Sequence, residues 1–200
     1  MPRLNGVSDR DAGLSAKIAL FITKRKLAKM AGIATLDNVA MLEPLRIYAH
    51  IPRLLNAYGR LEQAESKLDV LSPRHRALAE LKSAMTVRCM YCTDLGSAIA
   101  RTWGISDEEL LAMADYQNAS CFSEVDKLIL DYATAVSRTP VVVSDELFDA
   151  LSAHFDTAAL VGLTHVITLG NLRGRLNVAL EIGSSGFSDG AVCAVADAGA

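Results

Sequence analysis

The segment Thr86-Val87-Arg88-Cys89-Met90-Tyr91-Cys92-Thr93-Asp94-Leu95-Gly96 contains two cysteines at C-x-x-C spacing, followed by a helix-compatible run. Cysteines at this spacing can close a small disulfide ring with little movement of the backbone. The unpaired N–H groups and positive dipole end of a helix N-terminus stabilise a thiolate in the first turn, and Arg88 adds a positive charge. The pattern predicts a site that switches between dithiol and disulfide.

Two other interpretations of this pair stay open. Buried cysteines often serve as small apolar residues. Cys89 and Cys92 would alternatively supply half of a zinc site, but such a site needs two further ligands at short spacing and none follows in the sequence. Because an intracellular C-x-x-C pair is typically catalytic or metal-binding, redox chemistry is the leading hypothesis, and we expect neither a metal nor a cofactor.

A wider pattern surrounds the cysteine pair. It comprises Leu71-Ser72-Pro73-Arg74-His75-Arg76-Ala77-Leu78-Ala79-Glu80 before the pair, and Asn171-Leu172-Arg173-Gly174-Arg175-Leu176-Asn177-Val178-Ala179-Leu180 and Gly186-Phe187-Ser188-Asp189 after it. With the cysteine motif, these segments resemble the carboxymuconolactone decarboxylase family, which includes the alkylhydroperoxidase-D-like proteins, over residues from about 45 to 193. The resemblance implies an all-α, single-domain bundle of about seven to nine helices that forms a homo-oligomer.

The resemblance also implies roles for individual residues. In peroxidase-type members a glutamate lies twelve residues before the first cysteine, and histidines lie just before the second cysteine and four residues after it. These side chains relay protons to and from the sulfurs, but the same positions here hold Ala77, Tyr91 and Gly96. By resemblance, Cys92 attacks a peroxide or a disulfide and Cys89 resolves the product. We therefore expect a thiol-disulfide redox protein that is at best a weak alkylhydroperoxidase.

Glu80 is a candidate for the missing base. It lies three residues after Ala77 and so shares a helix face with that position, one turn closer to the cysteines. The alternative is an ion pair with Arg76, four residues before it on the same helix. The sequence leaves both interpretations open.

Two rival functions remain. One is a cofactor-free decarboxylase or isomerase of a small lactone or keto acid, in which Arg175, Asn171 and His165 bind a carboxylate and move a proton, since the arginine fork suits a carboxylate. The other is a binding or assembly protein that keeps the fold without the chemistry.

We also expect Tyr91 and Asp94, beside the cysteines, to contact a substrate.

Composition limits the choice of partners and compartment. The 200 residues are 51% hydrophobic with a net charge of −3, which fits one domain with a substantial core and gives no reason to expect nucleic acid. No apolar run is long enough to span a membrane or to form a signal peptide, and the four cysteines do not form a secreted scaffold. We expect a cytoplasmic protein that acts on a small molecule with a thiol reductant or a redox partner protein.

The chain divides into three predicted parts: a basic helical extension over 1–35, the helical domain over 36–183 and a tail over 184–200. Amphipathic spacing predicts a helix over 14–30 and two or three short helices over 36–67. Helix starts are predicted at Ser72, Ser106, Ser123 and Ser144 because a serine stands at each N-cap position. The last helix is predicted over 157–182 with Gly183 as its stop, and residues 141–143 are predicted to be an extended linker.

Overall fold

The computed structural model describes residues 2–32 and 39–194. This part of the chain forms nine α-helices: α1 (Leu14–Met30), α2 (Glu43–Tyr48), α3 (Pro52–Glu65), α4 (Pro73–Thr86), α5 (Met90–Thr102), α6 (Asp107–Ala112), α7 (Glu124–Ser137), α8 (Asp145–Ser152) and α9 (Thr157–Ala179). Short 3₁₀ helices span Val39–Leu42 and Met113–Asp115. The described residues contain no β-strand, and the predicted all-α fold is confirmed. No helix in these ranges has the length and apolarity that crossing a membrane requires.

Helix α4 is the centre of the bundle. It packs against α5, α7 and α9, and most of its side chains are buried. Leu78, Leu81 and Met85 are among the largest fully buried residues of the main core. Because α4 ends at Thr86, this packing fixes the position at which the cysteine segment begins.

The predicted serine caps are present, and Arg74 forms ion pairs with the acids of two of the capped helices. Ser106 and Ser123 each form a capping box, with Glu109 and Asp126 as the returning acids. Nη2 of Arg74, in the first turn of α4, lies 2.5 Å from Glu109 Oε1 and 2.9 Å from Asp126 Oδ2. Burial opposes ionisation of both acids, but hydrogen bonds from Arg74 hold their pKa values below the ordinary range. The starts of α4, α6 and α7 are thus joined by one guanidinium.

Helix α9 lies close to α4 and α5 because glycines face them. A β-carbon at Gly170 would lie 2.4 Å from Ser83 Oγ, so no larger residue fits there without a shift. The predicted end of this helix at Ile182 and Gly183 is wrong. Helix α9 ends at Ala179, and Glu181 takes a left-handed conformation with φ 55°. There its side chain pairs with Arg3.

The two ends of the described chain pack on the helical domain. Helix α1 packs against α3, with Ala16 and Leu20 buried, and Phe187 in the C-terminal segment is also buried. The predicted boundary between 35 and 36 lies outside the described residues. Residues 141–143 are irregular, in agreement with the predicted linker.

Candidate functional site

The turn between α4 and α5 positions the two cysteines. Arg88 has a φ of 57°, and the backbone N–H of Cys89 donates to the carbonyl of Ala84 at 3.0 Å, which closes the end of α4. Cys89 is the N-cap of α5, and Cys92 lies in the first turn. The sulfurs are 2.20 Å apart and the α-carbons 5.2 Å apart, so the two side chains are paired as a disulfide.

The two sulfurs differ in their surroundings. Cys89 is fully buried, whereas Cys92 is partly exposed. The backbone N–H of Cys92 donates to Cys89 Sγ at 3.1 Å, as a side-chain cap does. A molecule from solvent therefore reaches Cys92 more readily than Cys89. The remaining cysteines, Cys121 and Cys193, are free.

Among the residues that the structure describes, Asn177 on α9 places a polar side chain against this pair. Its Nδ2 lies 3.4 Å from Cys92 Sγ and 3.6 Å from Cys89 Sγ, within hydrogen-bond range for sulfur. The residue is buried, with 3% of its surface exposed. It was not among the predicted site residues, although it is a polar residue four positions after Arg173 on a largely apolar helix, and the two define a polar face. That face was the available signal.

Tyr91, which stands where the family places a histidine, is not suited to accept a proton. Its hydroxyl donates to the Met41 carbonyl at 2.5 Å, and its ring meets that of Phe187 edge to face at a centroid distance of 5.6 Å. Burial, and then the charge of Asp94, raise the pKa of the Tyr91 hydroxyl. Tyr91 therefore stays protonated and holds the start of α5 against neighbouring segments.

Asp94 binds the C-terminal segment of the chain. Its Oδ2 accepts hydrogen bonds from the Ser184 hydroxyl at 2.8 Å and from three backbone N–H groups at 2.8 to 3.1 Å, and its Oδ1 accepts from the backbone of Ser188 at 2.7 Å. Burial opposes ionisation, but these hydrogen bonds, led by the Ser185 N–H, hold the pKa of Asp94 below its ordinary value. The carboxylate predicted to contact substrate is thus occupied by the protein's own backbone.

Glu80 pairs with Arg76, one of the two arrangements that the sequence left open. Arg76 Nε lies 2.8 Å from Glu80 Oε1, and Arg76 Nη1 donates to the Glu65 carbonyl at 2.9 Å. Within the described residues no hydrogen bond joins Glu80 to either sulfur of the pair. Its carboxylate is one member of a larger cluster of charged side chains.

That charged cluster lies between α3, α4 and α9. Arg173 makes a two-pronged contact with Glu62 at 2.8 and 2.9 Å and also binds Glu65. Burial, only partly offset by Arg173 and reinforced by neighbouring carboxylates, raises the pKa of Glu65 to about 7. Burial alone would raise the pKa of Glu62 as well, but Arg173 and the Tyr58 hydroxyl hold it below its ordinary value. The two carboxylates therefore differ in charge state near neutral pH.

The three residues proposed for a carboxylate site do not converge. Asn171 donates to the Ser137 hydroxyl at 3.1 Å, and Arg175 donates to the Ser137 carbonyl at 3.0 Å. Both side chains thus hold the end of α7. His165 lies earlier on α9, where it lines an open groove between α3 and α9 together with Glu65.

A model of the carboxymuconolactone decarboxylase family matches residues 26–135. The chain belongs to this family. The family predicted from the segments around Cys89 and Cys92 is therefore confirmed. The chain is also similar to YnjA of Escherichia coli, an uncharacterized protein. The two are 40% identical over 152 residues, which cover 74% of this chain and 81% of YnjA. YdfG of Bacillus subtilis, also uncharacterized, is 23% identical over 106 residues, or 52% of this chain and 72% of YdfG.

Solved structures share the fold of this family member. The debrominase Bmp8 aligns with a TM-score of 0.72 at 20% identity over 92% of each chain, and Bmp8 has also been solved in complex with 2,3,4-tribromopyrrole. An alkylhydroperoxidase AhpD core protein from Ralstonia eutropha, described as peroxidase-related, aligns with a TM-score of 0.65 at 20% identity over 88% of this chain and 92% of its own. At this level of identity the likeness establishes the all-α, AhpD-like fold.

Proposed function

We propose that this protein is a thiol-disulfide oxidoreductase in which Cys92 attacks the substrate and Cys89 resolves the product. The difference in exposure between the two sulfurs supports this assignment of roles, because the reacting thiolate must meet a substrate while the resolving thiol needs only to meet its partner. The position of the pair at the N-terminus of α5 supports the chemistry, since the helix end favours a thiolate.

With a hydroperoxide as substrate, the reaction has two steps. The Cys92 thiolate attacks the terminal oxygen, so an S–O bond forms, the O–O bond breaks and the departing alkoxide takes a proton to become an alcohol. The Cys89 thiol then attacks the Cys92 sulfur, a disulfide forms and the hydroxyl leaves as water with the Cys89 proton. An external dithiol restores both thiols by exchange and is itself oxidised to a disulfide.

We expect this turnover to be slow. A positioned acid or base typically contributes about 10²- to 10⁴-fold to proton-transfer steps. Here Ala77 and Gly96 cannot transfer protons, and the Tyr91 hydroxyl has its pKa raised by burial. Glu80 is engaged with Arg76. Proton transfer to the leaving alkoxide then depends on solvent at the exposed side of Cys92.

The alternative decarboxylase or isomerase activity has less support. It required His165, Asn171 and Arg175 to gather around one carboxylate, and the hydrogen bonds of Asn171 and Arg175 go to the end of α7 instead. A non-catalytic binding role differs from the redox proposal in one measurable respect, which is whether the thiol pair cycles.

The test is substrate consumption with excess thiol reductant by wild type, Cys92→Ser, Cys89→Ser and Cys121→Ser. An alkyl hydroperoxide is one substrate, and 2,3,4-tribromopyrrole is a second because a debrominase shares the fold. Replacing C–Br by C–H would consume two thiols and release bromide, so both substrates leave the same disulfide. We expect activity to need Cys92, to fall with Cys89→Ser and to survive Cys121→Ser. Activity that is unchanged in Cys92→Ser would refute the proposal.

We also expect the protein to work as a homo-oligomer. An apolar face of α1 supports this, because Leu14, Ile18, Phe21 and Ile22 are each more than half exposed in the single chain. Light scattering tests the expectation. A mass that stays at 21.4 kDa at all concentrations would contradict it.

A further inference from the structure

The buried amide of Asn177 is placed where it can act on the cysteine chemistry. Helix α9 comes close enough to deliver it because Gly174, one turn earlier, has no side chain to collide with Val87. Nδ2 then lies 3.4 Å from Cys92 Sγ and 3.6 Å from Cys89 Sγ. The amide has two N–H groups, so it can donate to both sulfurs at once.

The rest of the Asn177 side chain has no matching role in the fold. Its Oδ1 is buried, and no donor within residues 2–32 and 39–194 reaches it. A buried polar atom without a partner lowers stability, and an apolar side chain of similar size avoids that penalty. Asn171 on the same helix also has an unpartnered Oδ1, so what distinguishes Asn177 is that its Nδ2 contacts the two sulfurs.

The two sulfurs receive different donors. Cys89 Sγ accepts the backbone N–H of Cys92 at 3.1 Å, whereas the donor that the described residues bring to Cys92 Sγ is Asn177. A hydrogen bond to a thiolate favours the charged form over the thiol. At Cys92, the hydrogen bond that stabilises the thiolate comes from a side chain, which mutagenesis can remove.

We propose that Asn177 is a catalytic residue that stabilises the Cys92 thiolate, and thereby the reduced form of the cysteine pair. This inference rests on the proposed redox function and extends it, since it names the group that activates a thiol whose family-type histidines are missing. A disulfide sulfur is a weaker acceptor than a thiolate, so the amide favours the reduced, ionised pair over the oxidised one.

The test compares two asparagines of α9. In Asn177→Leu the donor to the sulfurs is lost, while in the control Asn171→Leu a buried amide that binds Ser137 and Ile167 is lost from the same helix. The proteins are fully reduced, and the rate of alkylation of Cys92 by iodoacetamide is followed against pH by peptide mapping. Equilibration with glutathione buffers gives the reduction potential of the pair.

We expect Asn177→Leu to raise the apparent pKa of Cys92, read from the pH dependence of alkylation, by about one unit, which is a tenfold change in the acid dissociation constant. At a pH above the Cys92 pKa of both proteins, the equilibrium with glutathione should shift about tenfold toward the disulfide, or about 30 mV. Asn171→Leu should change neither value. Asn177→Asp, which puts a negative charge beside the sulfurs, should raise the Cys92 pKa further, and Asn177→Ala carries the same test if the leucine variant does not fold.

The inference would be overturned if the Cys92 pKa and the reduction potential of the pair in Asn177→Leu and Asn177→Ala matched those of wild type. A match means a difference of less than about twofold in the equilibrium constant. Alkylation does not require turnover, so this result is obtained even if the wild type consumes no substrate. Failure of the wild type to cycle would refute the proposed function instead, and the two failures are thereby distinguishable.

Discussion

Gly174 of α9 lies directly against Cys89 of the cysteine pair. A β-carbon at Gly174 would be 3.4 Å from the Cys89 β-carbon and 2.4 Å from Val87 Cγ2. The second distance is shorter than atoms in folded proteins tolerate, so any larger residue at 174 would force the Val87 side chain or the backbone of α9 to shift. Because Asn177 lies on the same helix, this contact also fixes its position relative to the sulfurs of Cys89 and Cys92.

We predict that Gly174→Ala lowers the free energy of unfolding by about 1 to 3 kcal/mol, because overpacking pushes α9 away from Val87. Urea unfolding measures the loss. The matched control is Gly59→Ala in α3, where a β-carbon would meet nothing within 4 Å. That variant should gain about 0.5 to 1 kcal/mol, since alanine favours the helix over glycine. Equal effects at the two sites would contradict a close contact at Gly174.

Asp94→Asn should release the segment over residues 184–188. An amide has one accepting oxygen, so it cannot accept hydrogen bonds at both positions as the carboxylate does. We therefore expect the free energy of unfolding to fall by about 2 to 3 kcal/mol and proteolysis of this segment to become faster. Asp189→Asn, which changes an exposed acid directly after this segment, is the control.

The pH dependence has a defined sign at Asp94. Its pKa is depressed in the folded protein, so its contribution to stability is present at neutral pH and is lost as the pH falls through that folded value. The difference in unfolding free energy between wild type and Asp94→Asn should therefore shrink in acid. If proteolysis of residues 184–188 is unchanged in Asp94→Asn, then Asp94 does not hold this segment.

Local signals in the sequence predicted much of the fold. Ser72, Ser106 and Ser123 each cap the helix expected, because a cap involves residues only three positions apart. The end of α9 was predicted from Gly183, but the chain leaves the helix earlier, at Ala179. There the Ile182 N–H bonds the Asn177 carbonyl and Ile182 is buried, so tertiary packing rather than the glycine ends the helix.

The site was predicted only in part for the same reason. Cys89 and Cys92 are neighbours in the sequence, and their pairing follows from spacing. Asn177 reaches them across 85 and 88 positions, and Asp94 meets the C-terminal segment across 90 to 94 positions. A single sequence marks such residues as polar positions on apolar helices but does not say which partners they meet.

A second prediction on pH concerns Glu65. Its pKa of about 7 in the folded protein is above the value of 4.5 for an unperturbed glutamate, so the folded state binds more protons between these values. The free energy of unfolding therefore falls as the pH rises from about 4.5 to 7. Glu65→Gln removes this loss. Relative to wild type, the variant should be more stable at pH 8 than at pH 5 by on the order of 1 to 3 kcal/mol.

Glu62→Gln is the matched variant for this prediction. Glu62 shares Arg173 with Glu65, but its pKa is depressed, so it is ionised at both pH values. This change should therefore destabilise the protein at pH 5 and at pH 8. Urea unfolding of the three proteins at both pH values decides the matter, and a Glu65→Gln variant with the same relative stability at pH 5 and pH 8 would contradict the assigned pKa.

The last prediction restores a proton-transfer group beside Cys92. Gly96 lies four residues after Cys92 on α5, so its side-chain position shares a helix face with the reacting sulfur. A β-carbon there would lie 3.2 Å from Cδ1 of Leu81, the end of a side chain that can shift. Ala77, in contrast, is 4% exposed within the main core, and a glutamate there would bury a carboxylate among apolar side chains. Gly96 is therefore the better site for a gain of function.

We expect Gly96→His to raise hydroperoxide turnover by about tenfold or more, with the about 10²- to 10⁴-fold that a well-placed acid or base contributes as the upper range. Because neutral imidazole accepts the proton, the gain should grow as the pH rises through about 6.5. Peroxide consumption per folded molecule measures it, with Gly96→Phe as the control that fills the same space without a titratable group. The gain must vanish when Cys92→Ser is added, because the histidine acts only through that sulfur. An equal gain in Gly96→Phe would assign the effect to packing, and no gain in either variant would mean that the helix face of Gly96 does not serve the sulfur of Cys92.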